Sequence, residues 1–163
     1  MAAPRFEVSR TVIVQAAPER VLAAFFTPED LSEWWQVVRS VTVARPLGMY
    51  AVEWGSTDYR DEVLGRLGGA FHGTVMEYRP AAEFFVADAF WNPPDGDPIG
   101  PMALEVRCTA EGAPTVTKLV VRQSGDDEGV RWHRYFEIVE AGWQRALADL
   151  KQYLEEEPLR TRR

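Results

Sequence analysis

Residues 130–156 read VRWHRYFEIVEAGWQRALADLKQYLEE, and the spacing of their apolar side chains decides the fold. Trp132, Tyr135/Phe136, Val139, Trp143, Ala146/Leu147, Leu150 and Tyr153/Leu154 recur every three or four positions, which places them on one face of a helix of roughly seven turns. Arg131, Arg134, Gln144, Arg145, Asp149 and Gln152 fall away from that face. Asp126, Asp127 and Glu128, just upstream, would complement the positive end of the helix dipole. A helix this long with one apolar stripe needs a broad apolar surface to cover.

The preceding chain supplies a sheet. Phe6 to Val14 is rich in β-branched residues and reads as a strand. The stretch AAPERVLAAFF follows, with Pro18 suited to a first helical position and Val21, Leu22 and Phe25 on one face. A second short helix starts at once: Thr27 suits an N-cap, Pro28 the first helical position, and Asp30 the acidic end of a capping box. It carries Leu31, Trp34 and Trp35. From Val41 to Ser124 the signal is β-rich: VTVA, MYAVEW, AFHGTVMEY, EFFVADAFW, MALEVRCTA and TVTKLVVRQ, separated by Pro- and Gly-containing turns. Short strands on short connections predict an antiparallel meander rather than βαβ units. Residues 55–68 are ambiguous and leave room for a mobile loop; the proline-rich stretch 92–101 reads as a stiff exposed loop. Arg160–Arg163 is expected to fray.

Composition excludes several classes. A chain of 163 residues with 46% hydrophobic and 26% charged residues matches one ordinary folded domain, here taken as 1–163 with an ordered core of about 6–156. A net charge of −7 repels nucleic acid and anionic membranes. No apolar run reaches the roughly 18–20 residues of a membrane span, and Arg5, Glu7 and Arg10 interrupt any signal-peptide reading, so a cytoplasmic location is expected. Sixteen of the 18 basic residues are arginine, Lys118 and Lys151 being the exceptions, a bias that genomic base composition explains. Cys108 alone forbids an intramolecular disulfide, and His72 and His133 cannot build a His-rich zinc site, so neither metal nor cofactor is expected.

One strand, two short helices, about six antiparallel strands and one long helix assemble into an α+β fold in which a curved antiparallel sheet wraps around the C-terminal helix. This arrangement resembles the helix-grip fold of the START-like (SRPBCC) superfamily. Within it the chain is similar to the domains related to the C-terminal part of the activator of the heat-shock-protein-90 ATPase. APERVLAAFFTPEDLSEWW (17–35) resembles that family's opening, and ARPLGMYAVEW (44–54) its Arg-Pro-Gly-Gly turn, with Leu47 in place of the first glycine. FHGTVMEYRPAAEFFVADAFW (71–91) matches its Gly-x-Val-x-Glu-x-x-Pro pattern, Asp88 falling where tryptophan is common. EAGWQRALADLKQYL (140–154) matches its final helix. The resemblance implies a cavity between sheet and helix for an apolar or amphipathic small molecule. It carries no fixed catalytic set, and superfamily members include carriers, cyclases and co-chaperone domains, so the fold does not select the function.

Strand alternation and the helix face give the expected ligand-binding wall. It comprises Tyr50, Val52 and Trp54; Phe84, Val86, Asp88 and Phe90; Met102 and Leu104; Leu119; Trp35 from the second short helix; and Phe136, Val139 and Trp143 from the long one. An inward Asp88 would be a costly buried carboxylate able to orient a ligand or exchange a proton. The opposite register turns Phe85, Ala87, Ala89 and Trp91 inward and leaves Asp88 solvated; the resemblance favours the first. Gly142 costs about 1 kcal/mol relative to alanine in mid-helix, which signals close packing or room for a ligand. Both histidines read as structural or surface groups, and Cys108, in phase with Met102, Leu104 and Val106, as a buried apolar group. GRLGGAFHG lacks the spacing and the following helix of a phosphate loop, and the acidic run 126–128 lacks calcium-loop spacing. Three readings follow: a small-molecule binding protein, monomeric or homodimeric; a cyclase, hydratase or hydrolase using Asp88; and a protein-interaction module.

Overall fold

The computed structural model describes residues 6–125 and 129–161; the acidic run Asp126–Glu128 and the last two arginines lie outside these. Strand β1 (Phe6–Val14) is followed by α1 (Pro18–Ala23) and α2 (Pro28–Trp34), each opened by its proline. The strands β2 (Val37–Thr42), β3 (Met49–Trp54), β4 (Arg60–Asp61), β5 (Gly65–Arg66), β6 (Gly69–Arg79), β7 (Glu83–Asn92), β8 (Ile99–Glu111) and β9 (Ala113–Gly125) come next. Helix α3 (Val130–Glu155) and a short α4 (Glu157–Arg160) complete the described chain. Seven strands form one antiparallel sheet in the order β1-β9-β8-β7-β6-β3-β2. The meander therefore runs from β2 to β9, and the first strand adds beside the last.

Four expectations change. Residues 55–68 are not simply a loop: β4 and β5 pair Arg60 with Arg66 and Asp61 with Gly65. β2 starts at Val37, four positions before the sequence signal, because Val37 is buried and pairs with Trp54. Residues 157–160 form α4, with the Arg160 guanidinium 4.4 Å from the centre of the Tyr153 ring and donating to the Tyr153 carbonyl at 2.7 Å. Thr27 occupies the N-cap position of α2, but its hydroxyl donates backwards to the Ala23 carbonyl.

Asp30 is not a capping group either. It is buried, receives two hydrogen bonds from the Arg20 guanidinium (2.7 and 2.8 Å), and accepts the Tyr153 hydroxyl proton at 2.6 Å. Arg20 also donates to Glu157. One guanidinium thus ties α1, α2 and α4 together. Burial pushes the Asp30 carboxyl up, but the hydrogen bonds from Arg20 and Tyr153 and the Arg20 charge outweigh it, so the group sits below the usual carboxylate range.

The largest correction concerns Asp88. Phe84 and Val86 are buried as expected, but the β7–β8 register shifts between Val86 and Ala89. Asp88 takes φ 52°, a left-handed conformation that aspartate tolerates better than most residues. The extra residue of this bulge resets the alternation, so Ala89 and Trp91 point inward. Asp88 is left exposed, and Phe90 lies half-buried against His72 on the other face. Opposite the bulge, Gly73 leaves the necessary space: a Cβ there would meet Val86 Cγ1 at 2.7 Å and the Ala89 Cβ at 3.0 Å.

Candidate functional site

Helix α3 does not fill the concave side of the sheet evenly. Its first turns insert Trp132, Tyr135 and Phe136, and its last turns Leu150 and Leu154, all buried. Between them its inward positions include Gly142 and Ala146. A Cβ built on Gly142 would meet nothing within 4 Å, so this glycine marks open space and not a tight crossing. The result is a cavity of about 400 Å³.

Its walls come from four sources. α3 contributes Tyr135, Ile138, Val139, Gly142, Trp143 and Ala146; the sheet contributes Trp54, Phe71, Trp91, Leu104 and Gln123. The end of α2 contributes Trp34 and Trp35, whose rings stack at 4.9 Å, and Trp35 in turn meets Trp54 at 5.2 Å and Trp143 at 5.0 Å. The β4–β5 segment contributes Leu64 and Leu67. Gly55 and Gly68 add backbone, and Gln36, Thr57, Arg145 and Asp149 complete the lining; these four side chains are exposed or half-exposed, so the polar side of the cavity is its mouth.

The β4–β5 segment is held down at several points. Buried Asp61 accepts the Val63 and Leu64 backbone N–H groups at 3.0 Å each and the Arg134 guanidinium of α3 at 2.7 Å. Burial pushes the Asp61 carboxyl up, but the Leu64 and Val63 amides, the Arg134 hydrogen bond and the Arg134 charge together hold it below the usual range. Arg66 pairs with Asp95 at 3.0 Å, and the Trp91 indole donates to the Gly68 carbonyl at 2.8 Å. These contacts keep Leu64 and Leu67 against the cavity.

Inside, one polar side chain organises the wall. Gln123 is buried; its Oε1 accepts the Trp143 indole proton at 2.8 Å, and its Nε2 donates to the Tyr135 hydroxyl and to Met102 Sδ, each at 3.0 Å. Gln123 falls in phase with inward Leu119 and Val121, so the signal for it was a polar residue in an apolar alternation.

Of the expected wall residues, Trp35, Trp54, Leu104, Val139 and Trp143 line the cavity. Tyr50, Val52, Phe84, Val86, Met102, Leu119 and Phe136 are buried in solid core outside its lining. Asp88 and Phe90 face away. With Asp88 exposed, the enzymatic reading built on it loses its buried carboxylate. His72 pairs with the Asn92 side chain at 3.0 Å, and exposed His133 packs edge-on to Phe6 at 4.6 Å, both off the cavity lining. Burial pushes the Cys108 thiol up to about 12, which leaves it protonated and unreactive. Among the described residues no group of three or more His, Cys, Asp or Glu is gathered for a metal, and no helix is long and apolar enough to cross a membrane.

A curved antiparallel sheet gripping one long helix over an aromatic cavity defines an α+β helix-grip domain. The family profile described as Activator of Hsp90 ATPase homolog 1-like protein matches residues 15–155, and the chain belongs to that family. No curated protein matches it in sequence. Among solved structures, a Mesorhizobium loti protein is similar at 20% identity with a TM-score of 0.67, covering 92% of this chain and 97% of that one. The Aha1 dimer from Colwellia psychrerythraea is similar at 17% identity and TM-score 0.59, covering 91% and 96%. DynU16, from the dynemicin biosynthetic locus, is similar at 21% and 0.63, covering 93% of this chain and 48% of that one. At these identities the likeness is one of fold.

Proposed function

We propose that this protein binds an apolar or amphipathic small molecule in the cavity between the sheet and α3. The observation that carries the reading is Gly142. The helix keeps its least helix-favouring residue short of proline where a larger side chain would meet no steric obstacle at its Cβ, and the space thus left open is walled by tryptophans. A volume of about 400 Å³ lies within the range of small-molecule sites. The apolar interior would take the body of the ligand, and the mouth at Gln36, Thr57, Arg145 and Asp149 any polar end.

The test is a thermal-shift screen of fatty acids, aromatic polyketides and flavonoids, with native mass spectrometry, on wild type and Gly142→Leu. A native-state ligand at a hundred times its Kd raises the melting temperature by roughly 5–10 °C for a domain of this size. Gly142→Leu, which fills the space, is expected to fold at least as stably and to lose the shift. Shifts that survive the substitution, or their absence from wild type, would contradict the reading.

A second reading, contact with a protein partner or a second copy, draws on a different feature. Val38, Val41, Leu47, Met49 and Met76 are all exposed on β2, β3, β6 and the β2–β3 turn, at the end of the sheet where β2 is the edge strand.

A further inference from the structure

The hydrogen-bond chain through Gln123 has a direction, and the direction leaves one proton over. The Trp143 indole is a donor only, so the Gln123 atom facing it must be the carbonyl oxygen. This fixes the amide: Nε2 faces Tyr135 and Met102, and its two protons go to the Tyr135 oxygen and to Met102 Sδ. Tyr135 therefore accepts from Gln123, and its own O–H proton has no acceptor among the contacts of the described residues. The Tyr135 side chain is nine-tenths buried, lines the cavity, and is held by its ring stacking on Trp91 at 5.1 Å. Burial pushes the phenol well above its ordinary value, against a smaller opposing effect of the Gln123 hydrogen bond, so the proton stays on the oxygen.

We infer that the ligand is a flat, uncharged aromatic molecule bearing a hydrogen-bond acceptor oxygen, a carbonyl above all, which receives the Tyr135 hydroxyl proton. This rests on the binding reading above and narrows it to a ligand class. The flat aromatic body follows from the walls, where Trp35, Trp54, Trp91 and Trp143 all line the cavity. The lack of charge follows from the interior, whose charged lining residues, Arg145 and Asp149, lie only at the mouth. The acceptor follows from the cost of leaving a buried O–H unsatisfied, which ligands offering no oxygen would incur.

Two ligand pairs that differ only in the carbonyl test it: fluorenone against fluorene, and anthrone against dihydroanthracene. Wild type is expected to bind the ketone of each pair about tenfold more tightly than the hydrocarbon, the worth of one buried hydrogen bond. Tyr135→Phe conserves the volume and is expected to bind both members of a pair within about twofold, hydrocarbon affinity being kept. The infrared carbonyl stretch of bound fluorenone is expected at lower wavenumber in wild type than in Tyr135→Phe, a difference that a merely structural role for Tyr135 would not produce. Equal affinity for ketone and hydrocarbon in wild type, or an unchanged preference and stretch in Tyr135→Phe, overturns the inference while leaving the binding reading in place. Failure of all four compounds to bind wild type while members of the thermal-shift panel bind also overturns the inference alone; the binding reading falls only if that whole panel fails.

Discussion

The two ends of the interior use the same residue types for opposite purposes. At the solid end, fully buried Phe84 lies between Phe26 (4.8 Å), Tyr50 (5.5 Å) and Phe25 (5.6 Å). The polar tip there ends on backbone: the Tyr50 hydroxyl donates to the Phe25 carbonyl at 2.9 Å. Its proton is consumed by an acceptor fixed in the α1–α2 turn. At the hollow end, the tips of Tyr135 and Trp143 end on the Gln123 amide, which gives and takes hydrogen bonds. Tyr50 is a donor that is satisfied; Tyr135 is an acceptor with a proton to spare. Aromatic content alone therefore does not distinguish core from pocket. What distinguishes them is whether the facing helix positions are large or small and whether a polar tip keeps a proton to spare, since Trp54 and Trp91 of the cavity wall also end on backbone, at the Trp35 and Gly68 carbonyls.

The contrast can be broken most severely at Phe84. Phe84→Ala should cost about 3–5 kcal/mol, since a fully buried ring in a close-packed cluster leaves a cavity that its neighbours cannot fill. Melting would fall by roughly 6–20 °C, while affinity for cavity ligands changes little because Phe84 is not on the wall. Parallel loss of binding and stability would show that the two ends are not separate.

Arg20→Met comes next. It leaves the Asp30 carboxylate buried with Tyr153 as its remaining side-chain partner, at a cost of about 3 kcal/mol at neutral pH. The sign of the pH dependence follows from the depressed Asp30 value. In wild type the stability from this pair is fully present above the unfolded carboxylate pKa of about 4 and is lost as pH falls through the lower folded value. In Arg20→Met burial instead raises the folded Asp30 value. The gap between wild type and variant in urea unfolding should therefore be widest at neutral pH and narrow as pH falls through the carboxylate range. A gap independent of pH would mean that the pair does not act through charge.

The smallest effect has the opposite sign. Gly142→Ala should stabilise by about 1 kcal/mol, since the methyl meets no atom within 4 Å and the mid-helix glycine penalty is removed. Destabilisation would mean that the helix needs the glycine for close approach, and the hollow end would then be a packing accommodation.

Most of the fold was legible in the sequence because its signals are local. β1 has the expected bounds, Pro18 and Pro28 open the two short helices, and the apolar stripe places α3 within a residue of its observed end. What was illegible depends on tertiary contacts. Two-residue strands such as β4 and β5 have no periodicity to read, and their hairpin exists because Asp61 meets Arg134 across 73 positions of sequence. Asp88 shows the limit of alternation: one extra residue in a bulge inverts everything after it. The cavity was legible in part. The spacing Tyr135, Ile138/Val139, Gly142/Trp143, Ala146 was open to reading as the face that lines it, with Gly142 as its marker. Gln123 was visible as a polar residue out of place, but its meaning depends on Trp143 and Tyr135 meeting it from the opposite layer.

The central claim is that the hollow end is a ligand site and the solid end is not. The most direct measurement is a crystal structure with the tightest-binding aromatic compound of the thermal-shift panel. The account predicts density for that compound between Trp35, Trp54, Leu104 and Trp143, with Phe25, Tyr50 and Phe84 undisturbed. A compound seated only on the outer surface, or a cavity closed by Trp143, Leu64 and Leu67 with no compound within it, would contradict it.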